Sequence, residues 1–118
     1  MGAQYKPSFE MFLYLTRKPP QWNGSSYEPT CWQVARDSKT DHPTQKPTEL
    51  AARAIRNSSK KGDVVFDLFG GSGSTLIAAH EMGRACRMME LSPAYCDVIV
   101  DRWERLTGMT AERDATES

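Results

Sequence analysis

The sequence predicts an α/β fold, part of a doubly wound, Rossmann-like parallel sheet. Three stretches carry that expectation. Val64-Val65-Phe66-Asp67-Leu68 is a short apolar run rich in strand-forming residues, and the glycine turn Phe69-Gly70-Gly71-Ser72-Gly73 follows it directly. Ser74-Thr75-Leu76-Ile77-Ala78-Ala79 then opens a helix. Ala85 to Met89 is a second strand-length run, ending on Glu90. Strand, glycine turn, helix and strand in that order make a crossover between parallel neighbours, with Val64–Leu68 central and the helix from Ser74 as the right-handed connection.

Taken in order, residues 1–7 form an irregular lead-in. Ser8 to Arg17 is rich in aromatic and aliphatic residues and reads as a core or edge strand, which Lys18-Pro19-Pro20-Gln21 breaks because neither proline can donate to a ladder. Trp22 to Pro29 has turn chemistry throughout, with Trp22 and Tyr27 expected to anchor the loop rather than stack on a base. Thr30 to Arg36 alternates as a second short strand, and Asp37 to Asp41 is a polar, mobile connection. His42-Pro43-Thr44-Gln45-Lys46-Pro47 is held extended by its two prolines, and Pro47 suits the first turn of a helix. That helix spans Thr48 to Asn57, with Leu50, Ala54 and Ile55 inward and Arg53 and Arg56 outward; Ser58 to Asp63 turns into the central strand, with Lys60-Lys61 a solvated corner. Beyond Glu90, Ser92 is placed to cap a last helix with Pro93 at its first position, Tyr95, Ile99 and Trp103 (or Leu106) recur as its core positions, and Gly108 closes it. The chain thus reads as one partial domain: a strand-and-loop lead-in over 1–41, a motif-bearing part over 42–107, and a tail over 108–118 expected to fray.

Composition narrows the class without naming it. At 118 residues, with 39% apolar and 25% charged side chains, this is one soluble domain's worth of chain. Fifteen basic and fifteen acidic residues cancel, so nucleic-acid binding would depend on a local, modest patch. Cys31, Cys86 and Cys96 are odd in number and contain no Cys-x-x-Cys pair, which points to reduced thiols in a cytoplasm rather than a disulfide framework or zinc site. His42 and His80 are too far apart in sequence to suggest a metal pair. No stretch has the length of a membrane span and no signal-peptide core is present, so no membrane partner is expected.

The chemistry concentrates around the glycine turn. Gly70, Gly71 and Gly73 let the backbone turn tightly and approach a ligand, while Ser72, Ser74 and Thr75 place hydroxyls where a helix opens its unpaired N–H groups. An acidic residue some 20 positions on, at a strand end, can accept from both ribose hydroxyls of a nucleoside, and Glu90 stands there. Asp67 discriminates between nucleosides: a carboxylate repels the pyrophosphate of NAD but attracts a sulfonium or an α-ammonium. These residues favour S-adenosyl-L-methionine over a dinucleotide.

H-P-T-Q-K-P, D-L-F-G-G-S-G-S-T and E-L-S-P-A-Y, in that order and spacing, resemble the cofactor-binding half of the DNA amino-methyltransferases, in the beta class whose catalytic motif precedes the cofactor motifs. The resemblance covers roughly His42 to Leu106, with Phe9-Glu10 and the Trp22 and Trp32 region a less specific extension. It implies a partial S-adenosylmethionine-dependent methyltransferase fold and methyl transfer to adenine N6 or cytosine N4 of double-stranded DNA, the setting of restriction-modification systems. By the same resemblance Asp67, Phe69, Gly70, Gly71 and Gly73 line the methionine part of the cofactor, with Ser72, Ser74 and Thr75 adding contacts. Glu90 holds the ribose, Leu91 lies against the adenine, and Thr44, Gln45 and Lys46 close over the methionine carboxylate.

One part of the family's pattern is not matched. The family's catalytic motif is Asp, Asn or Ser, then Pro-Pro, then an aromatic residue, because the target amine needs an acceptor and the flipped base a stacking surface. Here the single Pro-Pro, Pro19-Pro20, lies between Lys18, a donor, and Gln21, which cannot stack. The expectation is therefore a cofactor-binding C-terminal half (a fragment, a truncated phage or prophage product, or one chain of a split enzyme) that meets DNA through a missing portion and has little turnover alone. The alternatives are a non-catalytic or degenerate S-adenosylmethionine-binding module, and an unrelated dehydrogenase-type crossover, against which His42 to Pro47 argues. A half-sheet would expose an edge and an apolar face, so self-association or a complementary chain carrying the catalytic motif is expected.

Overall fold

The computed structural model describes residues 4–6, 8–35 and 47–114. Five elements follow in order: α1 (Thr48–Ser58), β1 (Val64–Asp67), α2 (Ser74–Glu81), β2 (Ala85–Met88) and α3 (Pro93–Thr107). β1 and β2 pair in parallel, with Val64 opposite Ala85 and Asp67 opposite Met88. The expected parallel crossover is present, with each strand ending one residue before the apolar run does.

A small core forms where α1 and α2 meet the sheet. Ile55, Ala78 and Ala79 are buried, and Ala51, Ala52, Val65, Met82 and Cys86 pack around them. The inward stripe of α1 differs from the expected one: Ile55 is buried, but Leu50 is half-buried and Ala54 exposed, while Ala51 and Ala52 turn inward. Alanine facing alanine lets α1 and α2 backbones approach closely, so the small side chains take the helix–helix contact. Arg53, expected to point outward, is instead half-buried beneath the lead-in loop.

The sheet is covered on one face only, which corrects the reading of Val64–Leu68 as covered on both. Val65 and Asp67 are half-buried, whereas Val64, Phe66, Leu68 and Met89 are 50–64% exposed. The sequence shows apolar side chains at alternate positions on both faces of β1, but only one face meets a helix within this chain. α3 is likewise half-sheltered. Ser92 caps it by accepting from the Tyr95 N–H at 3.4 Å, Pro93 begins it, and Gly108 closes it in the left-handed conformation at φ +72°. Tyr95, Ile99 and Trp103 are half-buried and Leu106 exposed, so this stripe lies at the margin of the core.

Neither lead-in segment is a strand. Among the described residues, 8–17 and 30–35 carry no ladder, and the sheet has two strands. Arg36, at the end of the second expected strand, and the connection at 37–41 lie outside the described residues. Alternation survives in 11–15, where Phe12 and Tyr14 are less exposed than Met11, Leu13 and Leu15, because Phe12 meets Trp32 at 5.1 Å and Tyr14 meets Trp22 at 6.3 Å between ring centroids. The loop from Trp22 to Trp32 satisfies itself locally: the indole N–H of Trp22 donates to Ser25 O and that of Trp32 to Pro29 O. It is then fastened to α1. Asn23 N–H donates to Asn57 O at 2.8 Å, Arg53 pairs with Glu28 at 2.5 Å, and the Arg53 guanidinium lies 4.7 Å from the Trp32 ring centre. The Arg53 hydrogen bond holds the Glu28 carboxyl below the ordinary glutamate range. Tyr27 is 90% exposed and anchors nothing, contrary to expectation; Trp22 is fixed to its own loop and to Tyr14. No helix among the described residues is long and apolar enough to cross a membrane.

Candidate functional site

The glycine turn leaves the C-terminal end of β1 and enters α2, and each of its residues is held from the β2–α3 side. Gly70 donates its N–H to Met89 O at 2.8 Å, and a Cβ there would stand 2.5 Å from Met88 Sδ, so only glycine lets the two strand ends approach this closely. Gly71 donates its N–H to Glu90 Oε1 at 2.8 Å. Ser72 is buried, and its carbonyl and Oγ accept from Arg102 Nη1 at 2.7 and 3.3 Å. Gly73 closes the turn by donating to Gly70 O at 3.0 Å; it adopts φ +92° and lies against Ile99. The backbone is therefore fixed before any ligand arrives.

The helix start differs from expectation in one respect. Gly73 is the N-cap of α2 and no side chain caps it, so the hydroxyls near the turn do not satisfy the first helical N–H groups. Ser72 turns back to Arg102, Ser74 is buried, and Thr75 is half-buried. The opening turn of α2 keeps its positive dipole end directed past the glycine turn.

Two carboxylates flank the turn. Asp67 Oδ1 accepts from the Phe69 N–H at 2.9 Å, bending the chain as it leaves the strand. Glu90 reaches back from the end of β2, accepting from Gly71 N–H with Oε1 and from Ser92 N–H with Oε2, each at 2.8 Å. The N–H of Ser92 first, then those of Gly71 and Leu91, hold the Glu90 carboxyl below the ordinary glutamate range, outweighing partial burial and the repulsion of Asp67. Each oxygen keeps a further lone pair for a hydroxyl donor. Phe69 and Leu91 are 86% and 97% exposed, leaving large apolar surfaces beside the two acids. Behind Glu90, an open and mostly apolar recess of about 180 Å³ is lined by Leu76, Met88, Cys96, Ile99 and Val100. Cys86 lies on the covered face, where burial and then the Asp67 charge push its thiol up, so it stays protonated.

The structure thus brings together Asp67, Phe69, Gly70, Gly71, Ser72, Gly73, Ser74, Thr75, Glu90 and Leu91 around one turn. Thr44, Gln45 and Lys46 lie outside the described residues. Sequence reasoning missed Arg102 and assigned Ile99 only to the core. The available signal was spacing: Arg102 follows Ile99 by three residues, on the same stripe of α3. Chemically, the arrangement offers an acceptor for a diol at Glu90, an anion for a cationic centre at Asp67, and helix N–H groups for a carboxylate. Among the described residues no cluster of three or more His, Cys, Asp or Glu is placed to hold a metal ion.

Comparison with known proteins bears on this geometry. A family model described as DNA methylase, of the N6/N4 methyltransferase kind, matches residues 4–101. The DNA adenine methyltransferase YhdJ of Escherichia coli (strain K12) is 33% identical over 102 residues, which are 81% of this chain and 35% of that protein. The solved structure of a DNA modification methylase from Thermus thermophilus, TTHA0409, complexed with S-adenosyl-L-methionine, is 45% identical with a TM-score of 0.52, over 56% of this chain and 28% of that one. The solved M1.HpyAVI–SAM complex is 30% identical with a TM-score of 0.58, over 69% of this chain and 41% of that one. The chain spans about a third of the length of YhdJ.

Proposed function

The chain belongs to the N6/N4 DNA methylase family, and from that premise we propose that it is the cofactor-binding portion of an S-adenosyl-L-methionine-dependent DNA amino-methyltransferase. The substrate would be double-stranded DNA, with adenine N6 or cytosine N4 as acceptor. The observation that carries the reading is the pair of bonds from Glu90, which couple a nucleoside acceptor at the end of β2 to the glycine turn at the end of β1.

The residues suit the cofactor. A Cβ on Gly71 would meet nothing within 4 Å, so the open side of the turn has room for a ligand. The Glu90 carboxylate stays ionised and would accept from the ribose hydroxyls, with Leu91 against the adenine. Asp67 would face the ammonium end of the methionine, with Phe69 and Gly70 beside its chain. Gly71, Ser72, Gly73, Ser74 and Thr75 would line the rest of that part, and Thr44, Gln45 and Lys46 would close over its carboxylate. The bound cofactor supplies an electrophilic methyl group on a sulfonium; the chain's own task is to hold and orient it.

Transfer also needs an acceptor for the target amine and an aromatic platform for the flipped base. Lys18-Pro19-Pro20-Gln21 offers neither, and we assign the catalytic motif to another segment or polypeptide. The uncovered face at Val64, Phe66 and Leu68 favours a chain that works within a larger assembly, by self-association or with a complementary chain. A non-catalytic module or a subunit of a split or degenerate methyltransferase is the second reading, and the same face supports it.

The test is a calorimetric titration with S-adenosylhomocysteine, with NAD as control. Binding of the first alone is expected, with no methyl transfer to DNA by this chain by itself. Binding of NAD instead would overturn the reading, and measurable transfer by the isolated chain would overturn the assignment of catalysis elsewhere.

A further inference from the structure

We propose that Arg102 is a positioning residue for the methionine-binding part of the site, acting on the ligand through the glycine turn; this rests on the cofactor reading above. Arg102 lies on α3, thirty residues from the turn in sequence, yet its Nη1 donates to Ser72 O at 2.7 Å and lies 3.3 Å from Ser72 Oγ. One helical step earlier, Ile99 sits where a Cβ on Gly73 would come within 3.1 Å of its Cγ1. Two residues of one stripe therefore grip consecutive residues of the turn from behind, while Glu90 grips Gly71 from the end of β2.

Two physical consequences follow. The Ser72–Gly73 peptide is oriented by a charge-assisted bond from a half-buried guanidinium, which fixes its carbonyl toward α3 and away from the open side of the turn. The guanidinium also places a positive charge behind a turn that opens into the N-terminus of α2, reinforcing the pull on a ligand carboxylate. Arg102 touches no part of the ligand. Its influence falls on the amino-acid end of the cofactor, because the nucleoside end is held at Glu90 and Leu91.

That division supplies a test which separates positioning from general stability. S-adenosylhomocysteine and 5′-methylthioadenosine share the nucleoside and thioether, but only the first carries the amino-acid end. Arg102→Met is expected to weaken S-adenosylhomocysteine by roughly tenfold, the size of one charge-assisted hydrogen bond, with a much smaller change for 5′-methylthioadenosine. Arg102→Lys, which keeps a donor for Ser72 O, is expected to recover most of the loss. In ligand-free Arg102→Met, amide exchange should quicken at Gly71 and Gly73 and stay unchanged at Ala78 and Ala79 inside α2. Equal weakening of both ligands without rescue by lysine, or unchanged exchange in the turn, overturns the proposal. Failure of the wild-type chain to bind S-adenosylhomocysteine removes the cofactor reading and this role with it. Wild-type binding that Arg102→Met leaves intact removes the role alone.

Discussion

Replacing Glu90 by glutamine tests whether one carboxylate organises both the turn and the ligand. Gly71 N–H and Ser92 N–H are both donors, each 2.8 Å from a different oxygen of Glu90. A glutamine amide can turn its single oxygen to only one of them, and its NH₂ then meets the other donor head-on. One bond is lost, the survivor loses its charge assistance, and the ribose hydroxyls lose an ionised acceptor. Each charge-assisted bond is worth roughly ten- to a hundredfold in an equilibrium constant, so Glu90→Gln should weaken S-adenosylhomocysteine about tenfold and Glu90→Ala by up to about a hundredfold. Titration calorimetry on both variants reads this, and wild-type affinity in Glu90→Ala would remove Glu90 from the site. A pH series gives a second reading. The folded carboxyl is held below its unfolded value, so the unfolded chain binds more protons around that range. Its contribution to stability is fully present above the ordinary glutamate range, about pH 4.3, and is lost as pH falls through the lowered folded value. The gap in urea midpoint between wild type and Glu90→Gln should therefore be constant from neutral pH down to about pH 5 and close on further acidification. A gap that persists unchanged in acid would show that the carboxylate's charge is not what stabilises the turn.

Three further outcomes separate the parts of the fold. Gly71→Ala pays only for its positive φ, about 1 kcal/mol, whereas Gly73→Ala adds displacement of Ile99 and should cost about 2–4 kcal/mol, so equal urea midpoints for the two would refute the grip of α3 on the turn. Ile55→Ala opens the centre of a small core and should cost about 2–4 kcal/mol in urea unfolding; a loss below about 1 kcal/mol would place the core elsewhere. Phe66 is 64% exposed on the uncovered face, so Phe66→Ser should leave the unfolding midpoint nearly unchanged while lowering association in sedimentation; a wild-type chain that stays monomeric at all concentrations would count against a role for that face in self-association.

What the sequence made legible was local. The glycine turn, the two parallel strands, the Ser92–Pro93 helix start and the Gly108 stop all follow from residues within a few positions of the feature they create. What it hid depends on a partner far along the chain. Alternation at Ser8–Arg17 reports which side chains share a face, not whether another strand lies alongside, and among the described residues no strand pairs with that segment. Arg53 looked like a solvated helix cation until Glu28 and Trp32, some twenty residues upstream, folded over it.

The same distinction explains why the site itself was only half visible. Its ligand-facing residues announce themselves, because glycines and acids at fixed spacing have few other reasons to occur together. The residues that hold the turn still are spread over β2 and α3, and an arginine three places after an isoleucine on a helix looks like any amphipathic stripe. Yet the turn has few internal bonds of its own, the Gly73 N–H to Gly70 O contact being the one that closes it. Its shape is set by Met89, Glu90, Ile99 and Arg102, so the β2–α3 unit is as much a part of the binding apparatus as the glycines are. A mutation in α3 that leaves every ligand-facing residue intact should therefore still change affinity, while the turn grafted onto a scaffold without that helix should bind poorly.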